Sequence, residues 1–161
     1  MPIDIRKMTD DEFDEFYKSS VEAQAKELSE ELHISYEEAR KNALAEICDM
    51  LPCGINTKNN NLMTIVDGGE RVGFIWTLYE EENGEKQIFI CDFAILESRR
   101  RKGYGEAALG LAERIAAEHG CKRSVLFVND NNAAAKALYE KCGYQTLRKR
   151  DYGRYMSKRL D

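Results

Sequence analysis

Histidine, proline and long apolar runs are all scarce in this sequence of 161 residues. With His33 and His119 as the histidines, neither a Ser-His-Asp triad nor a metal site built from several histidines is expected. Two prolines interrupt the chain, and no segment reaches the roughly 20 apolar residues that a membrane-spanning helix requires. No signal peptide is recognisable. We therefore expect a soluble protein with one domain, residues 1–161, and a core of its own.

Cysteine is present, but not in a pattern that binds metal or forms a disulfide framework. The five cysteines are odd in number, scattered, and never spaced as Cys-x-x-Cys. This pattern argues against a zinc site and predicts a reducing, cytoplasmic location. The formal net charge of −5 does not favour general binding to nucleic acid. The sequence therefore predicts no metal, no nucleic acid and no membrane partner.

Positive charge is nevertheless concentrated in one segment, residues 99–105, which reads RRRKGYG. The apolar run 88–96 before it predicts a strand, and the pattern of residues 106–117 after it predicts a helix. Amides at a helix start carry partial positive charge, and glycines let the backbone approach a ligand closely. The segment thus predicts an anion site, most simply for phosphate or pyrophosphate. On charge and glycines alone, a solvated basic turn that only caps the helix is the alternative.

Other segments predict helices packed against a mixed sheet. Capping boxes that begin at Thr9 and Ser35 open two helices near the start. Residues 62–66 and 71–79 predict strands joined by a hairpin, which makes the run 88–96 third in an antiparallel meander and covered on both faces. The later elements are a strand at 124–128, a helix at 133–142 and a closing antiparallel pair at 145–149 and 154–160.

Two polar features lie outside the basic segment. Asp92 lies within an apolar strand, where aspartate is disfavoured, so its carboxylate must be hydrogen-bonded, raised in pKa or directed to a cavity. It either has a catalytic or substrate-orienting role or ties down a loop.

One face of the last long helix carries three residues at steps of three and four, namely Asn132, Ala135 and Tyr139. Such a face can line a ligand groove, although a helical tyrosine is more often core or surface.

Together these residues resemble the GNAT superfamily of N-acetyltransferases. The family's acetyl-CoA motif, Arg/Gln-x-x-Gly-x-Gly/Ala, is matched by residues 100–105. Its second motif, Asn-x-x-Ala-x-x-Leu-Tyr-x-x-x-Gly-Phe/Tyr, is matched by residues 132–144 in family order and at family spacing. Residues 51–54 and 90–93 look like those of a group of small bacterial members. The resemblance implies a mixed α/β fold with a central, mostly antiparallel sheet of six to seven strands and helices on both faces.

The resemblance also implies a co-substrate and roles for residues. Acetyl-CoA would lie between the strands that end at Leu96 and Val128. Backbone groups around Ile95 would bond its pantetheine arm, and one N–H there would face the carbonyl oxygen. Tyr139 would protonate or hydrogen-bond the departing sulfur, and Asp92 is a candidate base for the amine, directly or through water. The implied cofactor-binding residues are Ile95, Arg100, Arg101, Lys102, Gly103, Tyr104, Gly105 and Asn132.

Two other classes of protein stay open beside an N-acetyltransferase that acts on a primary amine of a small molecule, peptide or protein. One is a GNAT-fold protein that binds acetyl-CoA as a sensor or partner and transfers nothing. The other is a dinucleotide-binding oxidoreductase, since Gly103, Gly105 and Ala108 fit a relaxed fingerprint, although the preceding cations and hairpin-linked strands argue against it. A Walker A loop is excluded because no Gly-Lys-Ser/Thr follows.

The expected partners are therefore acetyl-CoA and an amine acceptor. The acidic surroundings suggest a cationic amine as the acceptor. The oligomeric state stays open, with a homodimer as one option. Asn132 also stays open, since an asparagine at that position can be an N-cap and nothing more.

Overall fold

The computed structural model describes residues 3–161, which form two compact units. One unit joins the first strand, ending at Lys7, to Asn61–Asp161, and the other is Met8–Asn60. The expectation that residues 1–161 form a single domain stays a prediction. None of the helices in residues 3–161 combines the length and the apolar character that a membrane span requires.

The unit Met8–Asn60 consists of helix α1 (Asp10–Leu32), helix α2 (Tyr36–Met50) and a 3₁₀ turn (Gly54–Asn56). The hydroxyl of Thr9 accepts the Glu12 N–H at 3.1 Å, while the Glu12 carboxylate accepts the Thr9 N–H at 2.9 Å. The hydroxyl of Ser35 accepts the Glu38 N–H at 3.2 Å. Both predicted N-caps are thus confirmed, but the reciprocal capping box forms at Thr9, whereas at Ser35 the hydroxyl caps the helix without the return bond from Glu38.

Seven strands form one sheet in the other unit, in the spatial order β1-β2-β3-β4-β5-β7-β6. The strands are β1 (Ile3–Lys7), β2 (Asn60–Asp67), β3 (Glu70–Glu82), β4 (Glu85–Ile95), β5 (Arg123–Asn129), β6 (Gln145–Lys149) and β7 (Gly153–Arg159). β4 is central, antiparallel to β3 and parallel to β5. The predicted fold class, with a mixed and mostly antiparallel sheet, is confirmed. Hairpin-linked strands are not the arrangement of a doubly wound dinucleotide-binding sheet.

β4 and β5 are paired over a short stretch. Their parallel ladder ends where Ile90 lies opposite Leu126. In the pairing of β4 with β3, Cys91 is one extra residue, a β-bulge, between the residues that lie opposite Trp76 and Thr77. A bulge bends its strand, and this bend comes directly after the last residue paired with β5. The end of β4 therefore continues beside β3 but beyond its ladder with β5.

Two helices cover the sheet near the end of β4. Helix α3 (Tyr104–Glu118) connects β4 to β5, and helix α4 (Ala133–Lys141) follows β5. Buried side chains of both helices share one core with the sheet, among them Ile75, Ile90, Leu109, Leu126 and Tyr139. A Cβ added at Gly105 would lie 3.3 Å from Leu138 Cδ2, so α3 and α4 approach each other closely at that glycine. The core thus holds the start of α3, one face of α4 and the end of β4 together.

Candidate functional site

A cleft of about 690 Å³ lies at the end of β4. Its walls are the last residues of β4, the basic loop of residues 99–103, the first turn of α3 and one face of α4. The predicted site residues that line it are Ile95, Arg100, Arg101, Gly103, Tyr104, Gly105, Asn132 and Tyr139. Asp92 and Lys102 are not among the lining residues. One cleft therefore gathers most of the residues that the two sequence motifs single out.

Two residues of the basic loop have a left-handed backbone conformation, which sets the directions of the loop's N–H groups. Arg101 has a φ of 65° and Gly103 a φ of 81°. Glycine adopts this conformation freely, whereas arginine does so only when the surrounding structure holds it there. Gly103 is the N-cap of α3, and a glycine supplies no capping side chain to the first amides of the helix. These amides and the neighbouring guanidinium groups make an electropositive concavity that can bind an anion.

The two ends of the loop are held by the hairpin that connects β2 and β3. The guanidinium of Arg99 pairs with the carboxylate of Glu70, and the hydroxyl of Tyr104 donates to Asp67. The bond to Asp67 raises the pKa of the Tyr104 phenol above its ordinary value, and burial adds to the effect. Arg99 therefore serves as a partner of Glu70 in this structure. Nothing in the local sequence marks Asp67 or Glu70, because these strand-end residues flank a hairpin turn that is distant from the loop in sequence.

The end of β4 presents backbone polar groups away from β3. The N–H of Leu96 donates to the Val72 carbonyl at 2.8 Å, and the adjacent pair is Gly73 opposite Ile95. In an antiparallel ladder, the N–H and C=O of such a pair point outwards. The outward carbonyl of Ile95 accepts a hydrogen bond from Arg100 Nε at 3.0 Å. The outward groups of Ile95 can bond an extended ligand as an added strand would.

Tyr139 is a buried side chain of α4 that also lines the cleft. Its ring packs against Tyr144 with 5.8 Å between the ring centroids. Burial raises the pKa of its phenol to about 12, and the negative charges of Asp92 and Cys142 add to the shift. The phenol therefore keeps its proton throughout the neutral range, as a proton donor must.

Asp92 follows the bulge and bonds to its own strand. Its Oδ1 accepts the N–H of Phe93 at 2.9 Å. Strand alternation puts Asp92 on the sheet face opposite to Phe93, whose ring packs against the core that contains Tyr139. The bond to Phe93 is a contact within the strand, and the charge of Asp92 adds to the raised pKa of the Tyr139 phenol. A role as base stays a prediction.

Asn132 is the N-cap of α4, and its Oδ1 accepts the N–H of Ala135 at 3.2 Å. Its role as N-cap is thus confirmed, and a contact with a cofactor stays a prediction.

Sequence reasoning missed an ion pair at the cleft, where Lys141 Nζ of α4 lies 3.0 Å from Glu106 Oε2 of α3. No group of three or more His, Cys, Asp or Glu side chains in residues 3–161 is placed to hold a metal ion.

Comparison with protein families agrees with this geometry. The model described as "Acetyltransferase (GNAT) family" matches residues 10–144. The uncharacterized N-acetyltransferase YdgE of Bacillus subtilis is 32% identical over 145 residues, which cover 89% of this chain and 92% of YdgE.

Solved structures share the fold. The crystal structure of YycN from Bacillus subtilis superimposes with a TM-score of 0.84 and 28% identity, covering 92% of this chain and 95% of YycN. Spermidine N-acetyltransferase from Vibrio cholerae, solved with CoA and spermine, gives a TM-score of 0.68 at 15% identity, with 98% and 95% covered, a likeness in fold alone. Because the family model spans most of the chain and YdgE is similar along nearly its whole length, the protein belongs to the GNAT family of acetyltransferases.

Proposed function

We propose that this protein is an N-acetyltransferase that moves the acetyl group of acetyl-CoA to a primary amine of a small molecule, peptide or protein. The observation that carries the proposal is one cleft lined by the basic loop, the outward edge of β4 and the buried phenol of Tyr139. Acetyl transfer needs an anion site for the cofactor, a hydrogen-bond donor for the carbonyl oxygen and a proton for the departing sulfur.

The residues of the cleft fit the parts of acetyl-CoA. Its pyrophosphate matches the loop amides, the start of α3 and the cations Arg100 and Arg101. At ~4 Å and an effective dielectric constant of about 20, each cation–phosphate pair gains roughly 4 kcal/mol before desolvation. An amide N–H of its pantetheine arm matches the outward C=O of Ile95, provided that Arg100 releases that carbonyl. When bound, acetyl-CoA supplies an acetyl group activated as a thioester.

Three groups of the chain have chemical roles in this proposal. Tyr139 donates its proton, or a hydrogen bond, to the departing sulfur, and a pKa of about 12 keeps that proton in place until it is needed. The N–H of Ile95 faces the carbonyl oxygen of the acetyl group. Asp92 accepts the proton of the attacking amine, directly or through water. A thiol of ordinary pKa, near ~8.5, is a tolerable leaving group, so the help from Tyr139 is useful and not indispensable.

The acceptor is proposed as an amine because YdgE, which is similar to this chain along nearly its whole length, is named an N-acetyltransferase. Free thiols at the cysteines support a cytoplasmic location. A homodimer stays an option within the proposal.

A ligand panel tests the cofactor assignment. Thermal unfolding is measured with acetyl-CoA, CoA, NAD and NADP, each at the same concentration. A ligand at 100 times its dissociation constant should stabilise the protein by about 2.7 kcal/mol, so a shift with acetyl-CoA and CoA alone is expected. Stabilisation by NAD or NADP instead would contradict the assignment.

An acceptor screen tests transfer itself. A library of polyamines, amino acids and peptides is incubated with acetyl-CoA, and the released thiol is detected colorimetrically. Release that depends on an acceptor, with an acetylated product by mass spectrometry, is the expected result. Binding of acetyl-CoA with no release across the library would favour the protein that binds acetyl-CoA and transfers nothing.

A further inference from the structure

The β2–β3 hairpin contacts the basic loop and the residues that flank it at three points. The N–H of Leu96 donates to the Val72 carbonyl at 2.8 Å. Beyond the loop, the buried Tyr104 donates its hydroxyl to Asp67, the last residue of β2. Between these points, the guanidinium of Arg99 pairs with the carboxylate at position 70. The three partners on the hairpin, Val72, Asp67 and Glu70, do not line the cleft.

The backbone of the loop needs such support. The left-handed φ of 65° at Arg101 costs free energy for a residue with a Cβ, and it persists only where neighbouring contacts hold it. The N–H groups on either side of Arg101 and Gly103 point correctly for an anion only while that conformation is kept. An anion site that is already ordered before binding avoids the entropy cost of ordering on binding.

We propose that Asp67, through Tyr104, is a positioning residue for the pyrophosphate loop, with Glu70 in a lesser role through Arg99. Neither carboxylate is among the residues that line the cleft, so neither contacts the ligand. Both act by keeping the loop amides in the binding geometry. This inference rests on the proposed function, since it concerns how the same cleft holds the cofactor.

The Tyr104–Asp67 and Arg99–Glu70 contacts should contribute unequally to CoA affinity, because their side chains differ in exposure. Tyr104 is 5% exposed, so packing holds its ring and hydroxyl in place beside the carboxylate of Asp67. The side chains of Arg99 and Glu70 are 32% and 67% exposed, and exposed ion pairs contribute little. Loss of Asp67 should therefore weaken CoA binding about tenfold, and loss of Glu70 about twofold or less.

The test is CoA affinity by calorimetry in a set of full-length variants. Asp67→Ala removes the acceptor of the Tyr104 hydroxyl, whereas Asp67→Asn keeps an oxygen that can accept it. We expect Asp67→Ala and Tyr104→Phe each to weaken CoA binding about tenfold, the double variant to be no weaker than either, and Asp67→Asn to stay within about twofold of wild type. A merely structural residue would lower the melting temperature without this pattern.

A matched control is Glu85→Ala, which removes the Glu85 carboxylate from an exposed ion pair with Arg159 at the hairpin between β3 and β4. It should leave CoA affinity unchanged. Wild-type affinity in Asp67→Ala overturns the inference while the proposed function stands, and so does an Asp67→Asn variant as weak as Asp67→Ala. If Asp67→Ala does not fold, Tyr104→Phe alone decides. Absence of CoA binding in the wild type overturns both the inference and the proposed function.

Discussion

Tyr139 has surroundings that keep its phenol neutral. The pKa is raised to about 12, first by burial and then by the charge of Asp92. The ordinary value is about 10, so the protonated phenol is stabilised in the folded protein. This contribution to the free energy of unfolding is therefore present below pH ~10 and is lost as the pH rises towards 12. The Tyr139 phenol therefore holds a proton that it can donate across the whole neutral pH range.

Replacing Tyr139 with Phe keeps the ring and its contact with Tyr144 and removes the hydroxyl. We expect kcat to fall about tenfold to several hundredfold with acetyl-CoA affinity nearly unchanged, because general-acid catalysis contributes roughly 10²- to 10⁴-fold and a thiol leaves readily. Steady-state kinetics with a verified acceptor measures this. Tyr79→Phe, on β3 against His119, is the control and should leave kcat unchanged. Equal kcat in Tyr139→Phe and wild type would leave Tyr139 as a core aromatic.

Asp92 combines a backbone hydrogen bond with a charge, and two variants separate them. Asn keeps an oxygen for the Phe93 N–H but takes up no proton, while Ala loses both. We expect Asp92→Asn to lower turnover, most at low pH where the amine holds its proton, and to unfold close to wild type. Asp92→Ala should also lower the free energy of unfolding by about 1 kcal/mol. Rate–pH profiles and urea denaturation measure the two effects, and lost stability with an unchanged profile would make Asp92 purely structural.

At the scale of elements, Gly105 lies where α3 packs closely against α4 and beside the proposed anion site. A side chain there would push on Leu138, since its Cβ would lie 3.3 Å from Leu138 Cδ2. We expect Gly105→Asp to abolish acetyl-CoA binding while the protein stays folded, because it adds a negative charge where the pyrophosphate would lie. Calorimetry checks the affinity and circular dichroism the fold. Unchanged affinity would mean that the loop does not hold the cofactor.

Two alanine variants separate space from charge in that experiment. Gly105→Ala adds only a methyl group, and we expect a stability loss of about 1 kcal/mol and a smaller loss of affinity than with Asp. Apart from its chain neighbours and the backbone of its own helix, an added Cβ at Gly110 meets no atom of residues 3–161 within 4 Å. Gly110→Ala should therefore raise the stability by about 1 kcal/mol and leave the affinity alone.

Most elements could be predicted because their signals are local. N-cap residues place the helix starts at Thr9, Ser35 and Asn132. The basic glycine segment predicts an anion site, since such a site needs glycines, cations and a helix start in succession. The bulge at Cys91 could not be predicted. An apolar run of residues reads the same with or without one extra residue, and only the register against β3 decides.

In the whole molecule, a buried polar network connects α3, β5 and β7. The Tyr144 hydroxyl donates to Glu113 at 2.8 Å and lies 2.7 Å from the Ser124 hydroxyl. Lys158 Nζ donates to the other oxygen of Glu113 at 2.8 Å. Burial raises the pKa of the Tyr144 phenol well above its usual range, with Glu113 adding to the shift. The stability that this phenol confers is therefore present below pH ~10 and lost above it.

Tyr144→Phe should lower the free energy of unfolding by about 2–3 kcal/mol, because the buried carboxylate of Glu113 loses a donor. Acetyl-CoA affinity should stay at the wild-type value, since Tyr144 does not line the cleft. Urea denaturation at neutral pH measures the change, with Tyr79→Phe again as the control. Coincident midpoints for Tyr144→Phe and wild type would show that the network adds nothing to stability.

Partners distant in sequence are the part of the molecule that sequence patterns do not reveal. Tyr104 and Asp67 are 37 residues apart, and Tyr144 and Glu113 are 31 apart. Neither pair follows a helical or strand period, and neither belongs to one motif. The alignment of strands and the packing of α3 bring them together, so they can be named only from the folded chain.

Because the ladder between β4 and β5 is short, hydrogen–deuterium exchange at the end of β4 should report whether a ligand occupies the cleft. The N–H of Ile95 is directed away from β3, beyond the last pair that joins β4 to β5. It should exchange with heavy water far sooner than amides inside the ladders of the same sheet. A ligand arm laid along this edge would slow that exchange, in a peptide covering residues 91–96, whether or not the bound molecule ever reacts.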